Sequence, residues 1–241
     1  MWVDTPPAHH CLKIVHIVYL HGFASSPDSS KARYLSVRLA QLGITLHCPD
    51  LNEPDFSTLT VSRMIDNAEQ LIAGLDPGPI ALIGSSLGAF VALHLAERRW
   101  RLSGSGRANS HPIEHLALLA PAFDFRAGLR GRLGADGIKQ WQVTDRLEVD
   151  HYADNRIRHV RYGLYADAGQ YDSLSAAAPI PTLLLQGRSD QVVDLSLVER
   201  YSRERDYATL VLLDDGHQLQ ASLQRVWSEI SVFLGLTPLD V

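Results

Sequence analysis

Short runs of β-branched and apolar residues alternate along this chain with longer stretches whose apolar residues recur every three to four positions. The first run is Lys13–Leu20 (KIVHIVYL), which breaks at His21-Gly22. Ser29–Leu42 follows, with Ala32, Leu35, Leu39 and Leu42 at helical spacing and Gly43 as a stop. The same alternation predicts a strand at Thr45–Pro49, a helix over Thr58–Ile72, a strand at Pro79–Gly84 and a helix over Leu87–Arg99. Further strands are expected at Leu116–Ala120, Thr182–Gln186 and Thr209–Leu213, and further helices at Asp194–Arg205, with Asp194 as N-cap, and Leu219–Leu234. Strands that are apolar throughout and alternate with helices imply an α/β fold. Its mostly parallel sheet of about six strands is covered by helices on both faces. In such sheets ligands bind beyond the carboxyl ends of the strands, so the residues just after each strand carry the interest.

One stretch breaks the rhythm. The segment between Ala122 and Thr182 is far too long for a simple crossover and holds Trp141, Tyr152, Tyr162, Tyr165 and Tyr171 among mixed charges. It predicts a mostly helical cap, inserted at about residues 124–178 into a single domain spanning 1–241; an ordinary pair of surface helices is the plainer alternative. Ser103–Ser110 (SGSGRANS) reads as a flexible loop. Its glycines follow a helix and precede a strand, the reverse of a phosphate-cradling loop.

The chemistry concentrates at strand ends. Gly84-Ser85-Ser86-Leu87-Gly88 is a Gly-x-Ser-x-Gly motif directly after a strand and directly before a helix. That is the context of a nucleophile elbow, in which a strained turn lifts the Ser86 hydroxyl clear of the sheet and the glycines leave room for the turn. Ser85 occupies the x position and should point away. A serine hydroxyl needs a base, and His217, in Asp214-Asp215-Gly216-His217 after the sixth strand, is the candidate. The imidazole in turn needs a carboxylate to fix its tautomer, and Asp190, in the loop after the fifth strand, is the candidate. Asp124 is the runner-up; Asp194, Asp214 and Asp215 are expected to be structural. The order Ser, Asp, His is that of the α/β hydrolases. Two backbone donors are expected to hold an oxyanion: Leu87 N–H, just past the nucleophile, and Phe23 N–H, on the loop after the first strand. His21 is expected to brace that loop.

Bulk properties narrow the picture. The net charge of −5 gives no reason to invoke nucleic acid or an anionic membrane surface, and the longest apolar runs are too short to span a bilayer. The first residues, MWVDTPPAHHCLKI, carry an acid and prolines where a secretion signal has a basic start and an apolar stretch, so a cytoplasmic protein is expected. Cys11 and Cys48 suggest no disulfide framework and read as apolar fillers. No metal-ligand spacing occurs, His9-His10 reads as a solvated tail pair, and no cofactor is expected.

Tyr19-Leu20-His21-Gly22-Phe23, then Ser25-Ser26-Pro27 and Lys31-Ala32, resembles the opening of the small bacterial YqiA/YcfP-type α/β hydrolases, whose elbow reads Gly-Ser-Ser-Leu-Gly as here. The likeness is close over about the first hundred residues. The chain departs from that group at Ala89, where a second glycine is usual, and in its longer cap segment. The resemblance implies an esterase-like activity on a small-molecule carboxylic ester or thioester, with the triad at Ser86, Asp190 and His217. Two other readings keep part of this picture: a triad hydrolase cleaving a carbon–carbon or peptide bond, and a ligand-binding protein of the same fold without activity.

Overall fold

The computed structural model describes residues 16–103 and 110–236. Cys11, His9-His10 and most of the Ser103–Ser110 loop therefore lie outside the described residues. Six strands form one sheet: β1 (His16–Leu20), β2 (Leu46–His47), β3 (Ile80–Ser85), β4 (Ile113–Leu119), β7 (Thr182–Gly187) and β8 (Ala208–Leu213). Their order is β2-β1-β3-β4-β7-β8, and every pairing is parallel.

Strand side chains alternate between two apolar layers, as a period of two requires. Ile17, Tyr19, Ala81 and Ile83 pack with α1 (Ser30–Ala40) and α7 (Leu223–Phe233) through Leu35, Leu39, Val226 and Ile230. Val18, Leu20, Ile80 and Leu82 pack on the opposite face with α2 (Val61–Ala73), α3 (Leu87–Ser103) and α6 (Leu195–Arg203) through Ile65, Phe90 and Val198. Burial on both faces is why the strands read as continuous apolar runs and why helix patterning and strand patterning alternate in the sequence.

Boundaries moved where side chains compete with the pattern. The last helix begins at Leu223 rather than Leu219, because Leu219 takes a left-handed conformation (φ 53°) to bury its side chain and the Asp215 carboxylate accepts from Ser222 N–H. Asp194 caps α6, its side chain accepting from Ser196 N–H. Cys48 is half-buried against the α1 layer, and burial pushes its thiol up to about 11.

Between β4 and β7 lie α4 (Phe125–Thr144), β5 (Leu147–His151), β6 (Arg156–Val160), α5 (Gly163–Ala168) and a short 3-10 turn, Ser173–Ser175. Gly134 (φ 69°) kinks α4. The antiparallel hairpin β5–β6 departs from the helical expectation. Most of the segment's aromatic residues form its own packing. Buried Trp141 donates from Nε1 to the Val160 carbonyl and meets Tyr162 edge-on and Tyr165 at a tilt, while Tyr171 packs on Phe90 and His94 of α3.

Candidate active site

Strand β3 ends at Ser85 and α3 begins at Leu87, leaving Ser86 alone on the turn with φ 55°. A side chain tolerates that region only when its surroundings hold it there. Here Ser86 N–H donates to Leu119 O at 2.8 Å, and Ala122 N–H donates back to Ser86 O at 3.3 Å, clamping the turn onto the end of β4. The flanking glycines are required by close approach. A Cβ on Gly84 would sit 2.5 Å from Ala89 Cα, and one on Gly88 would overlap the Leu20 carbonyl.

The loop after β8 carries His217. The Asp215 carboxylate shapes it, accepting from Gly216 N–H at 2.7 Å and Ser222 N–H at 2.9 Å, while Asp214 is exposed and pairs with Arg188. The loop after β7 carries Asp190, whose side chain is fully buried. Its Oδ1 accepts from Val192 and Val193 N–H at 2.8 and 3.0 Å; its Oδ2 accepts from Gln186 Nε2 at 2.8 Å and from His217 Nδ1 at 2.9 Å. Burial alone would raise the Asp190 pKa. The hydrogen bonds from His217, Val193 and Val192 outweigh it and hold the carboxyl below its ordinary value.

An ionised Asp190 has no proton to give, so His217 Nδ1 carries the hydrogen, and in the neutral imidazole Nε2 offers a lone pair. Ser86 Oγ lies 3.0 Å from that Nε2 and donates to it. The three residues singled out from sequence thus stand in one hydrogen-bonded line, with His217 about one-seventh exposed (14 %) at its centre. Asp124 is not part of it: its carboxylate caps α4, accepting from Ala127 N–H at 3.0 Å.

Gln186 escaped the sequence reading. It is fully buried, the only polar side chain near the carboxyl end of an otherwise aliphatic TLLLQG strand, and its amide fixes the second Asp190 oxygen. A lone amide in an aliphatic buried strand was the available signal. The Phe23 loop packs directly on the nucleophile: a Cβ on Gly22 would lie 3.4 Å from Ser86 Cβ. No backbone carbonyl among the described residues accepts from Phe23 N–H, and Leu87 N–H is one of the donors a helix start leaves unpaired. His21 is buried in that loop, taking a hydrogen bond from Leu51 N–H at Nε2 and meeting Gly22 O at Nδ1, which makes it a brace. Among the described residues no three His, Cys, Asp or Glu side chains converge as metal ligands would, and no helix is long and apolar enough to cross a membrane.

A parallel six-stranded sheet with helices on both faces and a serine turn after β3 is the α/β-hydrolase fold. The chain belongs to the family described as Uncharacterised protein family (UPF0227), which matches residues 16–234. No curated protein matches it in sequence. Among solved structures it is similar to a protein from Agrobacterium vitis S4, with 22 % identity over 91 % of this chain and 87 % of that one and a TM-score of 0.79. It is also similar to Est1E from Butyrivibrio proteoclasticus with ferulic acid bound, at 18 % identity, 97 % and 92 % coverage and a TM-score of 0.74. A monoacylglycerol lipase from Paleococcus ferrophilus matches at 15 % identity, 91 % and 93 % coverage and a TM-score of 0.67. Those likenesses show the α/β-hydrolase fold that the sequence predicted.

Proposed function

We propose that this protein is a serine hydrolase that cleaves a carboxylic ester or thioester through an acyl-serine intermediate. The observation that carries the reading is the continuous line from Ser86 Oγ through both nitrogens of His217 to Asp190, at 3.0 and 2.9 Å, on a turn held at φ 55°. In this reading His217 Nε2 takes the Ser86 proton as Oγ attacks the substrate carbonyl. The negative charge that develops on the carbonyl oxygen is received by Phe23 and Leu87 N–H, with the start of α3 adding its positive dipole end. Collapse expels the alcohol or thiol, which leaves with the proton from His217. Water, deprotonated by the same nitrogen, then releases the carboxylic acid and restores the serine. Asp190 holds the tautomer and supports the imidazolium, and Gln186 is a positioning residue behind it. Only a neutral imidazole can accept the Ser86 proton, so the base form of His217 is the working form.

The segment at about residues 124–178 serves as a cap on a single domain. It lends Phe125, Leu129 and Tyr152 to the cavity over Ser86. An ester reading accords with the neighbours' descriptions, a monoacylglycerol lipase and a protein holding ferulic acid.

The test is hydrolysis of p-nitrophenyl butyrate by the parent and by Ser86→Ala. The variant should keep the parent melting temperature and lose turnover on the order of a million-fold. A variant retaining about a tenth of the parent rate would remove Ser86 from the chemistry.

A further inference from the structure

Two cavity lobes meet at Ser86 and His217, one lined by more apolar side chains, with Asp124, Arg132 and Asp194 also on its wall, and one by more hydroxyl-bearing and charged side chains. One, about 460 Å³, is walled by Phe123, Phe125, Leu129, Val193 and Leu197. The other, about 590 Å³, is walled by Ser25, Ser26, Asp28, Ser30, Lys31 and Arg33. Phe23 and Tyr152 border both.

Lys31 sets the character of the second lobe. It lies in the first turn of α1 and is only 7 % exposed. Its Nζ donates to the Gln218 carbonyl at 2.8 Å and lies 3.5 Å from Gln218 Oε1. No carboxylate among the described residues comes within ion-pair distance of it. Burial pushes its ammonium down to about 8, opposed only in part by the charge of Asp215. A buried cation held by neutral oxygens alone is costly, and an arriving anion relieves that cost. Fixing the Gln218 carbonyl needs a donor; it does not need a charge. Arg33 lies on the same wall, exposed and in no ion pair with any described residue, while at the start of α1 the Ser29 hydroxyl already accepts from Ala32 N–H and the Ser29 carbonyl from Arg33 N–H. The carboxylate on this wall is Asp28, which is exposed.

Building on the acyl-serine reading, we propose that the polar lobe holds the leaving half of the substrate, and that this half carries a compact anion, a carboxylate or a phosphate, bound by the Lys31 ammonium with Arg33 at its outer edge. The apolar lobe takes the acyl chain. When the acyl-serine forms, the bond from the carbonyl carbon to the leaving oxygen or sulfur breaks, that atom takes the proton from His217, and the anion departs with it.

The test compares kcat/KM for the butyryl ester of 3-hydroxybenzoate with that of 3-hydroxybenzamide, a neutral group of the same shape, and with that of 3-hydroxyphenyl phosphate. Each is measured on the parent and on Lys31→Met, so that the intrinsic reactivity of each phenol cancels between the two proteins. The preference of the parent for the anionic esters should fall by about tenfold or more in Lys31→Met, the size expected for one charge-assisted contact. The anion that suffers the larger loss identifies the class. Unchanged ratios of both the carboxylate and the phosphate ester to the amide ester overturn the inference and leave the ester reading standing, since neutral esters are still cleaved. Should Lys31→Met fail to fold, Arg33→Gln should lower the ratio and Asp28→Asn should raise it; no shift in either overturns the inference. Should no ester be cleaved by the parent, the acyl-serine reading fails separately. Calorimetric titration of Ser86→Ala with 3-hydroxybenzoate and 3-hydroxybenzamide then decides. A preference for the carboxylate that Lys31→Met abolishes supports the anion lobe, and equal binding of the two overturns it.

Discussion

Every residue of β3 is buried, whereas β5 and β6 of the segment after β4 each leave at least two of their five residues exposed. The two regions also contribute differently to the cavity. Ser86, Asp190 and His217 all stand on loops that leave the sheet at the ends of β3, β7 and β8, each tied down by backbone hydrogen bonds to a neighbouring strand or loop. The segment after β4 contributes walls: Phe125, Leu129 and the side chain of Tyr152, which is 73 % exposed. The groups that meet at hydrogen-bond distance all come from the ends of the sheet strands, while the inserted segment adds only walls to the cavity.

The largest effect that sharpens this contrast concerns the two acids. Asp190→Asn should lower turnover by roughly ten-thousand-fold, since an amide favours the wrong histidine tautomer. Asp124→Asn should change turnover by no more than a few-fold, because Asn caps a helix as well as Asp does. Steady-state kinetics on both, with melting curves to separate folding from chemistry, decide it. The reverse ranking would move the acid from the sheet to the start of the inserted segment.

The second effect lies at the seam. His94 of α3 is buried against Phe90 and Tyr171, within 3.3 Å of Ser173 Oγ, and burial pushes it down to about 4. The unfolded chain takes up this proton near pH 6.5 and the folded chain only near 4, so the unfolded state binds more protons in that window. Stability from this group is full above about 6.5 and is lost as pH falls toward 4, by about 3 kcal/mol. His94→Gln should flatten the fall in melting temperature between pH 7 and pH 5. An unchanged fall would place the acid sensitivity elsewhere.

The smallest effect belongs to the cavity wall. Tyr152 N–H donates to Ala24 O at 2.9 Å, tying the hairpin to the Phe23 loop, while its ring borders both lobes. Tyr152→Ala keeps the backbone bond. It should shift the preference among acetyl, butyryl and octanoyl p-nitrophenyl esters by a few-fold, about 1 kcal/mol, with little change in melting temperature. A uniform loss across chain lengths would instead implicate the oxyanion loop.

The same contrast explains what the sequence disclosed. Strands buried on both faces write continuous aliphatic runs such as Ile80–Ile83, and strand ends then mark the Ser86, Asp190 and His217 loops without further information. The hairpin was not legible. Leu147–His151 and Arg156–Val160 are each only five residues long, their apolar positions are few, and no strong turn dipeptide joins them. Lys31 was legible only as part of the opening motif, and its burial was not. In the sequence it is one more charge in an amphipathic helix, and only the fold, by laying the His217 loop over α1, buries it. Of the segment's aromatic residues, Trp141, Tyr162 and Tyr165 pack against one another, while Phe125 and Tyr152 reach the cavity.

The most direct test of the central claim is covalent capture of the nucleophile. The protein is treated with a fluorophosphonate at neutral pH and the adduct is mapped by peptide mass spectrometry. A single modified residue, Ser86, is predicted, with labelling slowed steeply in His217→Ala because the hydroxyl then has no base. Absence of label at Ser86, label at Ser85 instead, or equal labelling rates with and without His217 would contradict the account.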